Sequence, residues 1–273
     1  MRRLLLGLAA AAAACSGPAP PGHLNVVLIV IDDLGWTDMG VYGSTFYETP
    51  HIDRLASEGA RFTQFYTASP VCSPTRASLM TGKHPARLDL TNWIGGEQNG
   101  VLRQADYLRE LPLDEVTVGE AFREEGYVTG YVGKWHLGGE LHLPRAQGFE
   151  WSFAVNHAGQ PGAYFPPYEN PGWPITNVPD LEGDPSEAYL TDRLTDVSLE
   201  FLEAHADTSF FLVLSHYAVH TPLQGKPELV SRYETKARAL GEPTDADFRP
   251  ERESSTKLRQ DHATYAAMIE STD

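Results

Sequence analysis

Leu24-Asn25-Val26-Val27-Leu28-Ile29-Val30-Ile31, followed by Asp32-Asp33-Leu34-Gly35, decides the fold. The run is short, nearly continuous and β-branched, the pattern of a strand buried on both faces in a parallel sheet. In open α/β sheets the ligand site lies beyond the carboxyl ends of the strands, where Asp32 and Asp33 stand. Two carboxylates there suit a hard divalent cation such as calcium. Adjacent strand residues point to opposite faces, so both reach one ion only if the chain is already turning, which Gly35 permits. The plainer reading of an isolated Asp-Asp is a solvated acidic turn.

Outward from this strand, Thr49-Pro50 predicts a helix, with Thr49 as cap and Ile52, Leu55, Ala56 and Gly59 on one face. Residues 60–66 read as a second strand that delivers Cys72. Cys72-Ser73-Pro74-Thr75-Arg76 then opens another helix. Pro74 fits the first turn, where a missing N–H costs nothing. A helix N-terminus offers free N–H groups and partial positive charge to an anion, and Arg76 adds a planar cation. A lone cysteine before a helix would read as structural.

Thr117-Val118-Gly119-Glu120 has the form of a capping box, and Gly126 ends its helix. Residues 127–132 form the next predicted strand, ending in Gly133-Lys134-Trp135-His136-Leu137-Gly138. Lysine and histidine two apart on an extended segment face one side. Taken alone, that pair also reads as an exposed lysine and a packing histidine. The segment 144–185 is a long loop rich in proline, glycine and aromatics, the kind that walls a substrate site or packs its own rings. Leu190, Leu194, Val197, Phe201 and Leu202 make an apolar helical face. Residues 210–215 form another buried strand, and His216-Tyr217-Ala218-Val219-His220-Thr221-Pro222 follows it. His220 is thus placed on the rim with Asp32 and Lys134, and His216 reads as a supporting or core histidine. Residues 232–259 read as charged and loop-rich, and 260–270 as a helix.

Several of these segments together resemble the sulfatase family. They are Asp32-Asp33 after the first strand, the Thr49-Pro50 helix start, Cys72-x-Pro74-x-Arg76, Gly133-Lys134-Trp135-His136-Leu137-Gly138, and His220 before Pro222. The resemblance implies an alkaline-phosphatase-like α/β fold: a mixed, mostly parallel sheet with helices on both faces, here truncated on its C-terminal side. It also implies that Cys72 is oxidised to formylglycine by a maturing enzyme. The hydrated aldehyde then attacks sulfur, and the resulting hemiacetal sulfate eliminates sulfate. Cys72, Arg76, Lys134, His136 and His220 become the implied catalytic residues, with Lys134 and His220 also binding substrate. Asp32, Asp33 and modified Cys72 become ligands of calcium, with magnesium as the alternative. The implied substrate is a sulfated small molecule or glycan. A phosphonate monoester hydrolase or phosphodiesterase would share the cysteine signature, and a non-catalytic glycan-binding remnant is a third reading. Sulfatases carry a second pair of metal ligands and a later lysine, and nothing in residues 223–273 matches those.

The chain has 273 residues, a net charge of −16 and only two cysteines. Such acidity excludes nucleic-acid binding through bulk electrostatics, so any anion site must be local. Residues 1–22 read as a targeting segment and tether. Arg2 and Arg3 precede an apolar run too short to span a membrane, and Ala12-Ala13-Ala14-Cys15 resembles a bacterial lipobox. These features predict export, as a periplasmic or cell-envelope lipoprotein anchored at Cys15, or as a freely secreted protein. Residues 23–273 are then one catalytic domain. With Cys15 lipidated, Cys72 has no disulfide partner, and chemical conversion gives an unpaired exported cysteine its reason.

Overall fold

A computed structural model describes residues 24–97, 100–172, 178–181, 188–252 and 254–273. The expected leader and the Cys15 anchor lie outside the described residues. Four parallel strands form the central sheet in the order β1-β4-β2-β3: β1 (Val26–Ile31), β2 (Val128–Gly133), β3 (Trp151–Phe153) and β4 (Phe210–His216). An antiparallel hairpin, β5 (Phe248–Glu251) with β6 (Ser254–Lys257), stands apart from it.

Helices cover both faces, as the α/β reading expects. Along β4 the side chains alternate with the period of a strand. Phe210, Leu212 and Leu214 join one core, which includes Leu194, Val197 and Phe201 of α4 (Leu190–Ala204), Tyr233 of α5 (Pro227–Ala239), and Met268 and Ile269 of α6 (Ala263–Thr272). Phe211 and Val213 join the other, with Ala77 and Met80 of α2 (Cys72–Thr81) and the α3 helix (Val118–Glu124) through Val118 and Phe122. The strand buried on both faces is therefore β4, every residue of which is buried. The expectation for β1 is corrected. It pairs with β4 on one side, Val26 and Leu28 pack inward, and Val27 and Ile29 are 44% and 54% exposed.

Other expectations fail for local reasons. Residues 60–66 form no strand: the Tyr42 hydroxyl takes the Phe62 carbonyl at 2.8 Å, the Arg61 guanidinium binds the Val41 carbonyl, and Phe62, Phe65 and Tyr66 stay exposed. Helix α1 (Pro50–Glu58) exists, but Leu55 is exposed and Thr49 makes no cap bond to it. The Thr49 hydroxyl instead accepts from the Gly40 N–H at 2.8 Å and donates to Asp53 at 3.0 Å. The proline- and aromatic-rich segment contributes β3, too short to announce itself by alternation. The charged, loop-rich stretch 232–259 also carries the end of a helix and the β5–β6 hairpin. Pro227 starts α5, and Leu229, Val230, Tyr233 and Ala237 recur at helical spacing against the core.

Candidate active site

The carboxyl ends of β1, β2 and β4 converge with the N-terminus of α2, which begins at Cys72. Val71 before it is extended and Gly82 closes the helix in the left-handed conformation. Pro74 sits in the first turn, buried with Ser73 and Arg76. The guanidinium of Arg76 points back under the sheet ends. Its Nη2 donates to Asp32 Oδ1 at 2.9 Å, and its Nη1 donates to the Lys134 carbonyl and the Ser215 hydroxyl, each at 2.7 Å. Tyr131 and Ser215 hydroxyls also donate to that Lys134 carbonyl, at 2.7 and 2.8 Å. Three strands are thus tied to one arginine.

The Lys134 ammonium binds the other oxygen of Asp32 and is fully buried. Burial raises the Asp32 pKa, but Arg76 and then Lys134 outweigh it and hold the carboxyl at about 2. Burial also pulls the Lys134 ammonium below its ordinary range, against the attraction of Asp32. Arg76 is the permanent cation beside Asp32, because a guanidinium does not lose its proton. Two cationic side chains facing one carboxylate make this a locally basic spot in an acidic chain.

Lys134 and His136 do not share one side of an extended segment, which corrects that expectation. The strand ends at Gly133, with φ +92°, where an added Cβ would lie 2.1 Å from the Ser215 carbonyl oxygen. His136 then takes φ +54°. The chain turns, Lys134 goes beneath Asp32, and His136 Nε2 meets the Ile94 carbonyl at 3.1 Å. A carbonyl only accepts, so Nε2 carries the proton. Burial and the nearby Lys134 charge lower the His136 pKa to about 3, so the ring is neutral.

Asp33 is exposed, and its Oδ2 lies 3.6 Å from His220 Nε2. Asp32, Asp33 and His220 each offer a ligand atom, all within 4.8 Å of one another. The carboxylates fit a hard divalent cation, while the imidazole of His220 is not the oxygen ligand calcium prefers. Cys72 stands outside that group but lines the two adjoining cavities. One, of about 620 Å³, also has Asp32, Asp33 and Arg76 in its wall. The other, of about 610 Å³, has Asp33, Trp93, His136, His157, Gln160 and His220 around Cys72. Lys134 lines neither of them.

The structure therefore brings Asp32, Asp33, Cys72, Arg76, Lys134, His136 and His220 to one sheet edge. Sequence reasoning missed Ser215, whose place at the carboxyl end of a buried strand was its only signal. It also singled out neither His157 nor Gln160, which sit in loops without motif spacing.

The profile of the Sulfatase family matches residues 24–273, and the chain belongs to that family. It is 36% identical over 238 residues to N-acetylgalactosamine-6-sulfatase of Canis lupus familiaris, covering 81% of this chain and 44% of that protein. Against Arylsulfatase G of Homo sapiens it is 39% identical over 184 residues, covering 66% of this chain and 32% of the relative. The chain thus spans less than half the length of these curated relatives. Among solved structures, Ps i-CgsB has a TM-score of 0.66 at 29% identity, covering 91% of this chain and 52% of the other. It has also been solved with k-i-k-neocarrahexaose, at a TM-score of 0.65, 28% identity and the same coverage. BT4656, solved with its substrate D-glucosamine-2-N,6-O-disulfate, has a TM-score of 0.56 at 26% identity, covering 82% of this chain and 39% of the other.

Proposed function

We propose that this chain supplies the nucleophile-bearing part of a sulfuric ester hydrolase acting on a sulfated glycan. One observation carries the reading: Cys72 opens a helix N-terminus in a cavity walled by Asp33, His136 and His220, with Arg76 and Asp32 locked behind it. Sulfated sugars in the names of its relatives and in the complexes of its structural neighbours support the substrate class.

Asp32 and Asp33 would hold the calcium or magnesium ion, which, when bound, polarises the sulfate and acidifies the nucleophile. Formylglycine at position 72, installed by a maturing enzyme, would supply a hydrated aldehyde as that nucleophile. The chain's own residues do the rest. The α2 N-terminus and the Arg76–Lys134 charges favour an anion at Cys72. Arg76 keeps Asp32 ionised and fixes the three strand ends, so little reorganisation is left for the reaction. His220 stands at the cavity wall beside Asp33, where it can donate a proton to the departing sugar oxygen as the sulfur–oxygen bond breaks. His136, neutral and bonded to Ile94, orients the wall. The apolar leader and lipobox support export, with the cell envelope as the site of action.

The test uses full-length protein from its native host. Mass spectrometry of the Cys72 peptide is expected to show the aldehyde. Sulfate release is expected from a sulfated hexosamine glycan, with little turnover of a phosphate diester, and none in Cys72→Ala. An unmodified thiol together with no sulfate release would sink the proposal. Faster turnover of the phosphate diester would assign the scaffold to that rival chemistry instead.

A further inference from the structure

Trp93 is not placed by any motif, yet it stands in the wall of the cavity that holds Cys72. Its indole is 43% exposed, although large aromatics are normally well covered. One side of the ring rests on the backbone of the next turn. A Cβ added at Gly96 would fall 2.8 Å from the indole nitrogen, and one at Gly95 would fall 3.3 Å from the six-membered ring. Bare backbone is what lets the ring lie there.

The loop that carries Trp93 is fastened on both sides of Ile94. The Ile94 N–H donates to the Ser73 hydroxyl at 3.0 Å, and Ser73 is the residue after Cys72. The Ile94 carbonyl accepts from His136 at 3.1 Å. Further along, the Tyr107 hydroxyl donates to the Trp93 and Gly96 carbonyls, at 2.9 and 2.7 Å. The backbone that carries the indole is thus fixed relative to the helix N-terminus. Another part of the wall is seated on the same histidine. A Cβ at Gly159 would lie 2.6 Å from the His136 ring, so the segment bearing His157 and Gln160 packs directly against it. His136 thus supports two stretches of the wall, the one that carries Trp93 and the one that carries His157 and Gln160.

A pyranose ring has that polarity: an apolar C–H face and a hydroxyl-bearing edge. We infer that the ring carrying the sulfate stacks on Trp93 and presents its hydroxyl edge to His157 and Gln160, making Trp93 a specificity-determining residue. The inference rests on the sulfated-glycan reading above, but its test needs no turnover.

Calorimetric binding of a sulfated hexosamine is measured on full-length Cys72→Ala, with Trp93→Ala and Trp93→Phe added separately. Loss of the indole is expected to weaken binding about ten-fold, the effect of one stacking contact. Phenylalanine, which keeps a ring face, is expected to restore most of it. Inorganic sulfate, which needs only the anion end, is expected to bind all three proteins alike, and this also reports that the variants are folded. Sugar binding unchanged by Trp93→Ala, or no rescue by phenylalanine, would overturn the stacking role. So would an equal loss of inorganic sulfate binding, since that places Trp93 in the general structure. Wild-type protein that binds the sugar through Trp93 but never releases sulfate would overturn the hydrolase reading alone.

Discussion

Arg76 makes three hydrogen bonds from a buried position, to Asp32, Ser215 and the Lys134 carbonyl. Removing one partner of a buried ion pair leaves an uncompensated charge and costs about 3–5 kcal/mol. Here Lys134 still faces Asp32, so Arg76→Met is expected to cost about 2–3 kcal/mol in urea unfolding and to abolish sulfate release. An unfolding midpoint equal to wild type would show that the arginine network adds nothing to the fold. His216 makes the opposite case. Burial lowers its pKa from 6.5 to about 4, and its Nδ1 has no hydrogen-bond partner among the described residues. As pH falls from 6.5 towards 4, the unfolded chain takes up a proton that the folded chain refuses. Stability is therefore lost across that window, by about 3 kcal/mol in total. His136 adds to the loss in the same direction. His216→Phe is expected to flatten the fall in stability between pH 6.5 and 4. An unchanged slope would show that His216 is protonated without cost in the fold. For Asp32 the sign is the reverse of a raised pKa: its contribution is present above the ordinary carboxylate range and is lost as pH falls through about 2.

At the scale of elements, the capping box at Thr117 was legible because its partners are three residues apart in the chain, and both of its bonds form. Helix α2 was legible for the same local reason, through Pro74 in its first turn. What the pattern did not show was the end of β2. Extended geometry was expected through His136, yet the strand stops at Gly133, whose positive φ no L side chain adopts cheaply. Gly133→Ala is expected to destabilise the protein by about 3 kcal/mol, because its Cβ collides with the Ser215 carbonyl of the neighbouring strand. It should also separate Lys134 from Asp32. Unfolding curves and sulfate release check both effects, and a fully active, wild-type-stable variant would refute this account of the turn. The absent strand over residues 60–66 has a similar lesson. Its composition suits a strand, but its contacts tie it to the Tyr42 hydroxyl and the Val41 carbonyl and not to a strand of the described sheet.

For the molecule as a whole, the candidate site is a product of topology. Asp32, Cys72, Lys134 and His220 come from four distant parts of the chain and meet where parallel strands end. Ligand binding there should therefore stabilise the global fold. In full-length protein, calcium at about a hundred-fold excess over its Kd is expected to add about 2.7 kcal/mol. A chelator should remove that gain, and Asp33→Asn should be indifferent to both. Thermal unfolding with and without chelator measures this. An Asp33→Asn protein that responds to calcium like wild type would move the ion elsewhere.

The sequence by itself determined the α/β class, the order of the main strands and helices, and nearly every member of the candidate site. Those features are written in short-range chemistry: β-branched runs, a capping box, proline and glycine at helix ends, and motif residues at fixed spacing. Only the tertiary structure decided that β1 leaves one face open, that Lys134 lies beneath Asp32, and that His136 supports both the Trp93 loop and the segment around Gly159. Burial, ion pairing and cavity walls depend on which segments become neighbours after folding. Residues such as Ser215 and Trp93 gain their meaning only from contacts with chain many positions away.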